Sequence, residues 1–178
     1  MKGEEVREEQ EIRIELPVKA FVPIGWLQQE ALRLELYRRI ATSPDHRRLA
    51  EVRAEAEDRY GGLPPEVETL FSVGSLRITC ARLGVGDVST YRDEVRIKPL
   101  RLPEALAVDL SERVPEATYH ATTATLNLRP ERVASADLPG WVEERLLAAL
   151  EEEGRDGGQP VDREGDHRIG APVQRATG

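Results

Sequence analysis

Residues 32–43, LRLELYRRIATS, and residues 51–84, EVRAEAEDRYGGLPPEVETLFSVGSLRITCARLG, read as parts of three closely spaced helices with sharp joints. The first helix is predicted from about Trp26 to Ala41, because Leu27, Ala31, Leu34 and Tyr37 stand at helical spacing and Leu32, Leu36 and Ile40 flank them. A stripe that wide packs on more than one neighbour. Ser43 followed by Pro44 is a start signal, since the serine oxygen can accept an N–H of the first turn and proline at the first helical position forfeits no hydrogen bond. The second helix is therefore predicted over about Pro44 to Tyr60. Leu49, Val52, Ala56 and Tyr60 mark its inner face, and Gly61 sits where a left-handed cap favours glycine. Pro64 and Pro65 open a third helix that Gly84 closes, with Glu66 and Glu68 favourably placed at the positive end of its dipole. Val67, Leu70, Phe71, Gly74, Ile78 and Ala81 share one face, which Val73, Leu76 and Cys80 widen. This helix is expected to be the most buried, with Gly74 admitting close approach of a neighbour.

Outward from this stretch the period changes. Ile12, Ile14 and Leu16 alternate with Glu11, Arg13 and Glu15, the pattern of a strand with one buried face, closed by Pro17. Val88 and Thr90, then Val95 and Ile97, predict a hairpin turning near Arg92 and Asp93. A short helix from Pro103 to about Arg113 follows, with Ala105, Leu106 and Leu110 inward. Ala117, Tyr119 and Ala121 occupy one parity and Ala124, Leu126 and Leu128 the other, so a second hairpin turns at Thr122 and Thr123. A last helix, capped by Asp137, carries Trp141, Val142, Leu146, Ala149 and Leu150. The predicted fold class is α+β: a helical layer of three consecutive helices packed with a small antiparallel sheet and two further helices. Residues 1–10 read as a charged linker, 11–152 as the domain and 153–178 as a disordered tail, too rich in glycine and charge to offset its ordering entropy.

The composition narrows the function. A chain of 178 residues holds one domain of the commonest size plus a tail, with no second core implied. Aromatics make up only 4%, so the core rests on Leu, Val, Ile and Ala. A net charge of −8 argues against non-specific binding to a phosphate backbone, so direct DNA binding is not expected. Cys80 is the single cysteine, which excludes an internal disulfide and fits a reduced, cytoplasmic setting. There is no apolar run of about 18 residues and no secretory pattern, so no membrane association is expected.

No catalytic pattern stands out. His46, His120 and His167 fall in different predicted segments, with no cysteine or second histidine at ligand spacing. Gly61-Gly62 and Gly84-Val85-Gly86 lack the strand-to-helix context and the lysine of a phosphate loop. Cys80 reads as a buried structural thiol. The notable charged pattern is Glu51, Glu55 and Asp58, at i, i+4 and i+7 on the second helix, which forms one outward stripe near the end where the helix dipole disfavours acids. A solvated face with partial pairing to Arg47, Arg48 and Arg59 explains it plainly. An arginine-bearing partner would explain it as function.

YRRIA (Tyr37 to Ala41), the second helix closing on DRYGGLPP (Asp58 to Pro65), and the third ending in RLG resemble the C-terminal domain of bacterial transcription-repair coupling factors, the Mfd or TRCF family. The resemblance covers roughly Glu11 to Glu152. After Gly84 it follows element order more than letters. It implies a non-catalytic regulatory, autoinhibitory domain in transcription-coupled nucleotide excision repair, whose parent is an ATP-dependent DNA translocase. None of the motor's motifs is present, so the chain is expected to be no enzyme on its own and to need no cofactor or metal. The implied partner is the UvrB-like module of the same parent protein, docked within one molecule so that UvrA is masked and the motor restrained, with UvrA and RNA polymerase as indirect partners. Carried onto this chain, Glu55 and Asp58 would pair with arginines of that module, Glu51 would extend the stripe and Arg59 would lie at its edge. The alternative is a stand-alone adaptor of the same fold that binds protein or nucleic acid.

Overall fold

The computed structural model describes residues 11–151; the predicted linker and tail lie outside the described residues. Strand β1 is Arg13–Glu15, followed by helices α1 (Glu30–Ala41), α2 (His46–Tyr60) and α3 (Pro65–Leu83). Strands β2 (Asp87–Tyr91) and β3 (Glu94–Lys98), short helices α4 (Glu104–Val108) and α5 (Leu110–Arg113), strands β4 (Ala117–His120) and β5 (Thr125–Leu128), and helix α6 (Leu138–Leu150) complete the domain. The class is α+β, and the sheet runs β1-β2-β3-β5-β4.

The sheet is antiparallel except at one edge. β1 runs parallel to β2, with Ile14 opposite Val88, because the three helices intervene and return the chain in the same direction. Both predicted hairpins form, Val88 pairing with Ile97 and Tyr119 with Leu126. The helix predicted from Pro103 to Arg113 is two pieces joined at Asp109, so three helices rather than two accompany the sheet. Leu106 and Leu110 are buried as expected, whereas Ala105 faces solvent. Arg113 ties these pieces together, donating to the carbonyls of Leu106 at 2.5 Å, Ala148 at 2.8 Å and Ala149 at 3.1 Å. It thereby satisfies orphan acceptors at the end of α6.

α3 is the centre of the domain and packs on both sides. Val67, Phe71 and Ile78 join Leu36, Ile40, Leu49, Val52 and Ala56 in a helical cluster. Leu76 and Cys80 join Val88, Val95, Ile97, Leu126, Leu128, Val142 and Leu146 in a second cluster under the sheet. The single core expected from chain length is thus two buried clusters sharing one helix. At Gly74 of α3 both α1 and α2 come close: a Cβ built there lies 2.9 Å from Ile40 Cγ2 and 3.4 Å from Leu49 Cδ1.

Several boundaries differ from the sequence reading. α1 begins at Glu30, not Trp26, because the Pro23 carbonyl accepts the N–H groups of Trp26 and Leu27 in a separate turn. Leu34, assigned to its inner stripe, is 60% exposed; Leu36 and Ile40 bear the burial instead. α2 is capped by Asp45, whose carboxylate accepts the Arg48 N–H at 2.7 Å, and not by Ser43, whose buried hydroxyl donates to the Arg39 carbonyl. Gly61 has φ 86° and ψ −170°, outside the left-handed helical region and in one open essentially to glycine alone. Ala81 is exposed, and Asp137 precedes α6 without a side-chain cap bond.

Candidate docking surface

α2 presents three surfaces. Leu49, Val52 and Ala56 are buried against α1 and α3, which fixes the rotation of the helix and therefore the direction of its charges. On one flank stand Glu51, Glu55 and Asp58, the predicted stripe. Their surroundings differ. Glu51 accepts from Arg48 at 2.9 Å and lies 4.0 Å from Arg47, both one turn toward the N-terminus. Glu55 is held from two sides, by a short hydrogen bond from Arg39 of α1 and by Arg59 at 3.3 Å. The Arg39 hydrogen bond is the main reason that the Glu55 carboxyl lies below the usual carboxylate range, and the positive charges of Arg39, Arg59 and Arg48 act in the same direction. Asp58 is exposed, and its side chain makes no hydrogen bond or ion pair among the described residues. The structure therefore joins Glu55 and Arg59, sets Glu51 in a separate pair, and leaves Asp58 open.

Arg39 escaped the sequence reading. It belongs to α1, and periodicity along one helix carries no information about which side chain of a neighbour reaches across; only its place in YRRIA, before the turn that brings α2 back, gave a signal. Part of the charge order on α2 also opposes its own dipole. Arg47 and Arg48 sit near the positive end and Glu57 and Asp58 near the negative end, where an exposed, unpaired acid costs a few tenths to about 1 kcal/mol, whereas Arg59 in the last turn is favourably placed.

The other flank of α2 holds a polar cluster that spacing could not reveal. His46 lies beside Ser75 and Thr79 of α3, with Nδ1 3.3 Å from Ser75 Oγ and Nε2 3.2 Å from Thr79 Oγ1. Both hydroxyls donate to Oε1 of Glu143 on α6, Ser75 at 3.0 Å and Thr79 at 2.5 Å. The set of Ser, His and Glu invites comparison with a hydrolase triad, and the geometry rejects it. The carboxylate binds the serine hydroxyl directly instead of orienting the far nitrogen of the imidazole. Ser75 is in the middle of α3, where neighbouring N–H groups serve the helix and cannot form an oxyanion hole. Cys80 is fully buried, and burial, reinforced by the Glu143 charge, pushes its thiol up to about 12. It is no nucleophile. Among the described residues no group of three or more His, Cys, Asp or Glu is placed to hold a metal ion, and no helix is long and apolar enough to cross a membrane.

Comparison with known proteins places this geometry in a family. The TRCF domain model matches residues 16–105. Transcription-repair-coupling factors of Mycobacterium bovis and Mycobacterium tuberculosis are each 39% identical over 141 residues, covering 77% of this chain and 11% of the relative. The Escherichia coli factor is 32% identical over 76 residues, 43% of this chain and 7% of the relative. The chain thus spans about a tenth of the length of the mycobacterial relatives. In fold it is similar to the crystal structure of the C-terminal domain of transcription-repair coupling factor, with a TM-score of 0.69 at 16% identity over 83% of this chain and 98% of that one. With half of its length matched by the family model, this chain belongs to the TRCF domain family.

Proposed function

We propose that the chain is a non-catalytic regulatory domain in transcription-coupled repair, acting in the cytoplasm by docking its α2 acidic stripe on the UvrB-like module of a coupling factor. Docking there masks UvrA binding and restrains the translocase until RNA polymerase is engaged. The observation that carries this reading is Asp58: an exposed carboxylate without a counter-ion among the described residues, at the helix end where its charge is disfavoured. An arginine from the partner removes that penalty. Glu55 has a different role, since Arg39 and Arg59 already hold it; it keeps both arginines at the edge of the surface and is shared with a partner rather than surrendered to it. Close interfacial charge pairs couple by about 1.5–7 kcal/mol, and tethering both modules in one protein raises their effective concentration further. The stripe's role is electrostatic recognition without proton transfer, and it needs no cofactor.

Calorimetric titration of this chain into the isolated UvrB-like module tests the reading. Saturable binding is expected, weakened at least about tenfold by Asp58→Arg and less by Glu55→Gln. Full-strength binding by a folded Asp58→Arg variant would remove the stripe from the interface.

A further inference from the structure

The flank of α2 opposite the acidic stripe carries a second feature. His46, Leu49, Ala50 and Arg53 of α2, with Phe71 of α3 and Leu147 of α6, line an open groove of about 470 Å³ whose floor is Ser75 and Glu143. At 100° per residue the groove positions lie roughly 160° around the helix from Glu51, Glu55 and Asp58. The two surfaces are therefore separate.

The groove is apolar-walled with a carboxylate at its floor. Glu143 has only 15% of its side chain exposed, and Oε1 takes the hydroxyls of Ser75 and Thr79. Among the described residues no arginine or lysine forms an ion pair with it; His46, at 3.7 Å, is charged only when protonated. Arg53 at the rim is committed elsewhere, 2.7 Å from Glu68 and 3.3 Å from Glu57, with its guanidinium over the Phe71 ring. Leu147, 37% exposed, supplies an apolar wall open to solvent. A largely hidden carboxylate without a fixed counter-charge among the described residues, flanked by leucines and a phenylalanine, matches an arginine side chain: an apolar stem ending in a planar cation that donates to carboxylates.

We infer that this groove is a second docking site, which takes an arginine flanked by apolar residues on a partner protein, the guanidinium bonding Glu143 and the stem lying between Leu49 and Leu147. The site leaves the acidic stripe free, so one domain can hold two protein segments at once. The inference does not rest on the docking function of the stripe.

The test is an amide-shift NMR titration of the full chain with a short acetylated, amidated peptide bearing one arginine between leucines, alongside the same peptide with norleucine for arginine. Saturable shifts centred on Ser75, Glu143 and Leu147 are expected with the arginine peptide alone. Glu143→Gln keeps an oxygen for the Ser75 and Thr79 hydroxyls and removes the charge, and it should weaken binding at least about tenfold. Ala50→Phe, at an exposed position, fills the groove without touching any charge and should abolish the shifts. Equal binding of the two peptides, unaltered binding by Glu143→Gln, shifts centred on Asp58, or no shifts at millimolar peptide would each overturn the inference. Asp58→Arg should leave this titration unchanged, which separates its failure from failure of the proposed function.

Discussion

Gly74 shows how one missing carbon sets the spacing of the helical layer. The atom that a Cβ would strike is Cγ2 of Ile40, a buried β-branched residue whose rotamer is restricted in a helix, so the methyl cannot readily swing aside. Gly74→Ala gains up to about 1 kcal/mol in helix propensity and loses about 1–3 kcal/mol to overpacking. Net destabilisation is expected, read as a lower urea midpoint with an unchanged slope. Glu55 gives a prediction of a different kind. Its carboxyl is depressed in the folded chain by the Arg39 hydrogen bond, so its contribution is present above the unfolded carboxylate range and is lost as pH falls through the lower folded value. Thermal unfolding followed from pH 7 to pH 3 should therefore cost the parent chain more than Glu55→Gln, and the two melting curves should converge at the acid end.

Among the elements, α2 has the start most easily misread. Ser43-Pro44 presents a residue pair that fits a helix start, yet the helix waits for Asp45, because the Ser43 hydroxyl is engaged by the last turn of α1. Asp45→Ala should cost about 1 kcal/mol as loss of a cap, measurable as a shift of the denaturant midpoint. Where a signal acts within a few residues, the sequence suffices: Pro65 at the first turn of α3, Gly84 beyond its last, and the turn at Arg92 and Asp93 all stand where they are expected. Where the deciding contact comes from elsewhere, it does not. α1 starts late because Trp26 and Leu27 are held in the turn closed by the Pro23 carbonyl, where Trp26 meets Tyr60 edge-on, with ring centroids 5.7 Å apart. Leu34 is exposed because the apolar and aromatic side chains of α1 and its approach are too many for one face, and only the packing against α2 and α3 could choose Leu36 and Ile40. The stripe on α2 was legible for the same local reason as the caps, since its spacing is intrahelical. The Arg39 bond to Glu55, and the meeting of His46 with Glu143, span distant segments and left no periodic trace.

For the whole molecule, the question is whether two buried clusters make one folding unit. They share α3, which places Val67, Phe71 and Ile78 in one and Leu76 and Cys80 in the other, so neither cluster can be dismantled without exposing a face of the same helix. The two tryptophans report on them separately, Trp26 packed against the helical cluster and Trp141 against the sheet cluster. Trp26→Phe and Trp141→Phe variants, each retaining one fluorophore, should show urea transitions of the same width when each is compared with the circular dichroism of the same protein. Fluorescence and circular dichroism that separate in either variant would mean that the layers melt independently.

The parallel pairing of β1 with β2 has a consequence in time as well as in space. Ile14 meets Val88, 74 positions later, so the entire helical layer is the loop that this contact closes. The hairpins β2–β3 and β4–β5 need only short closures, whereas the β1 contact bears the entropy of a long one for three residues of ladder. Proteins dominated by such distant pairings fold slowly. The edge strand β1 is accordingly expected to pair after the hairpins have formed, which pulse-labelled amide exchange during refolding would read as later protection at β1 than at β3 and β5.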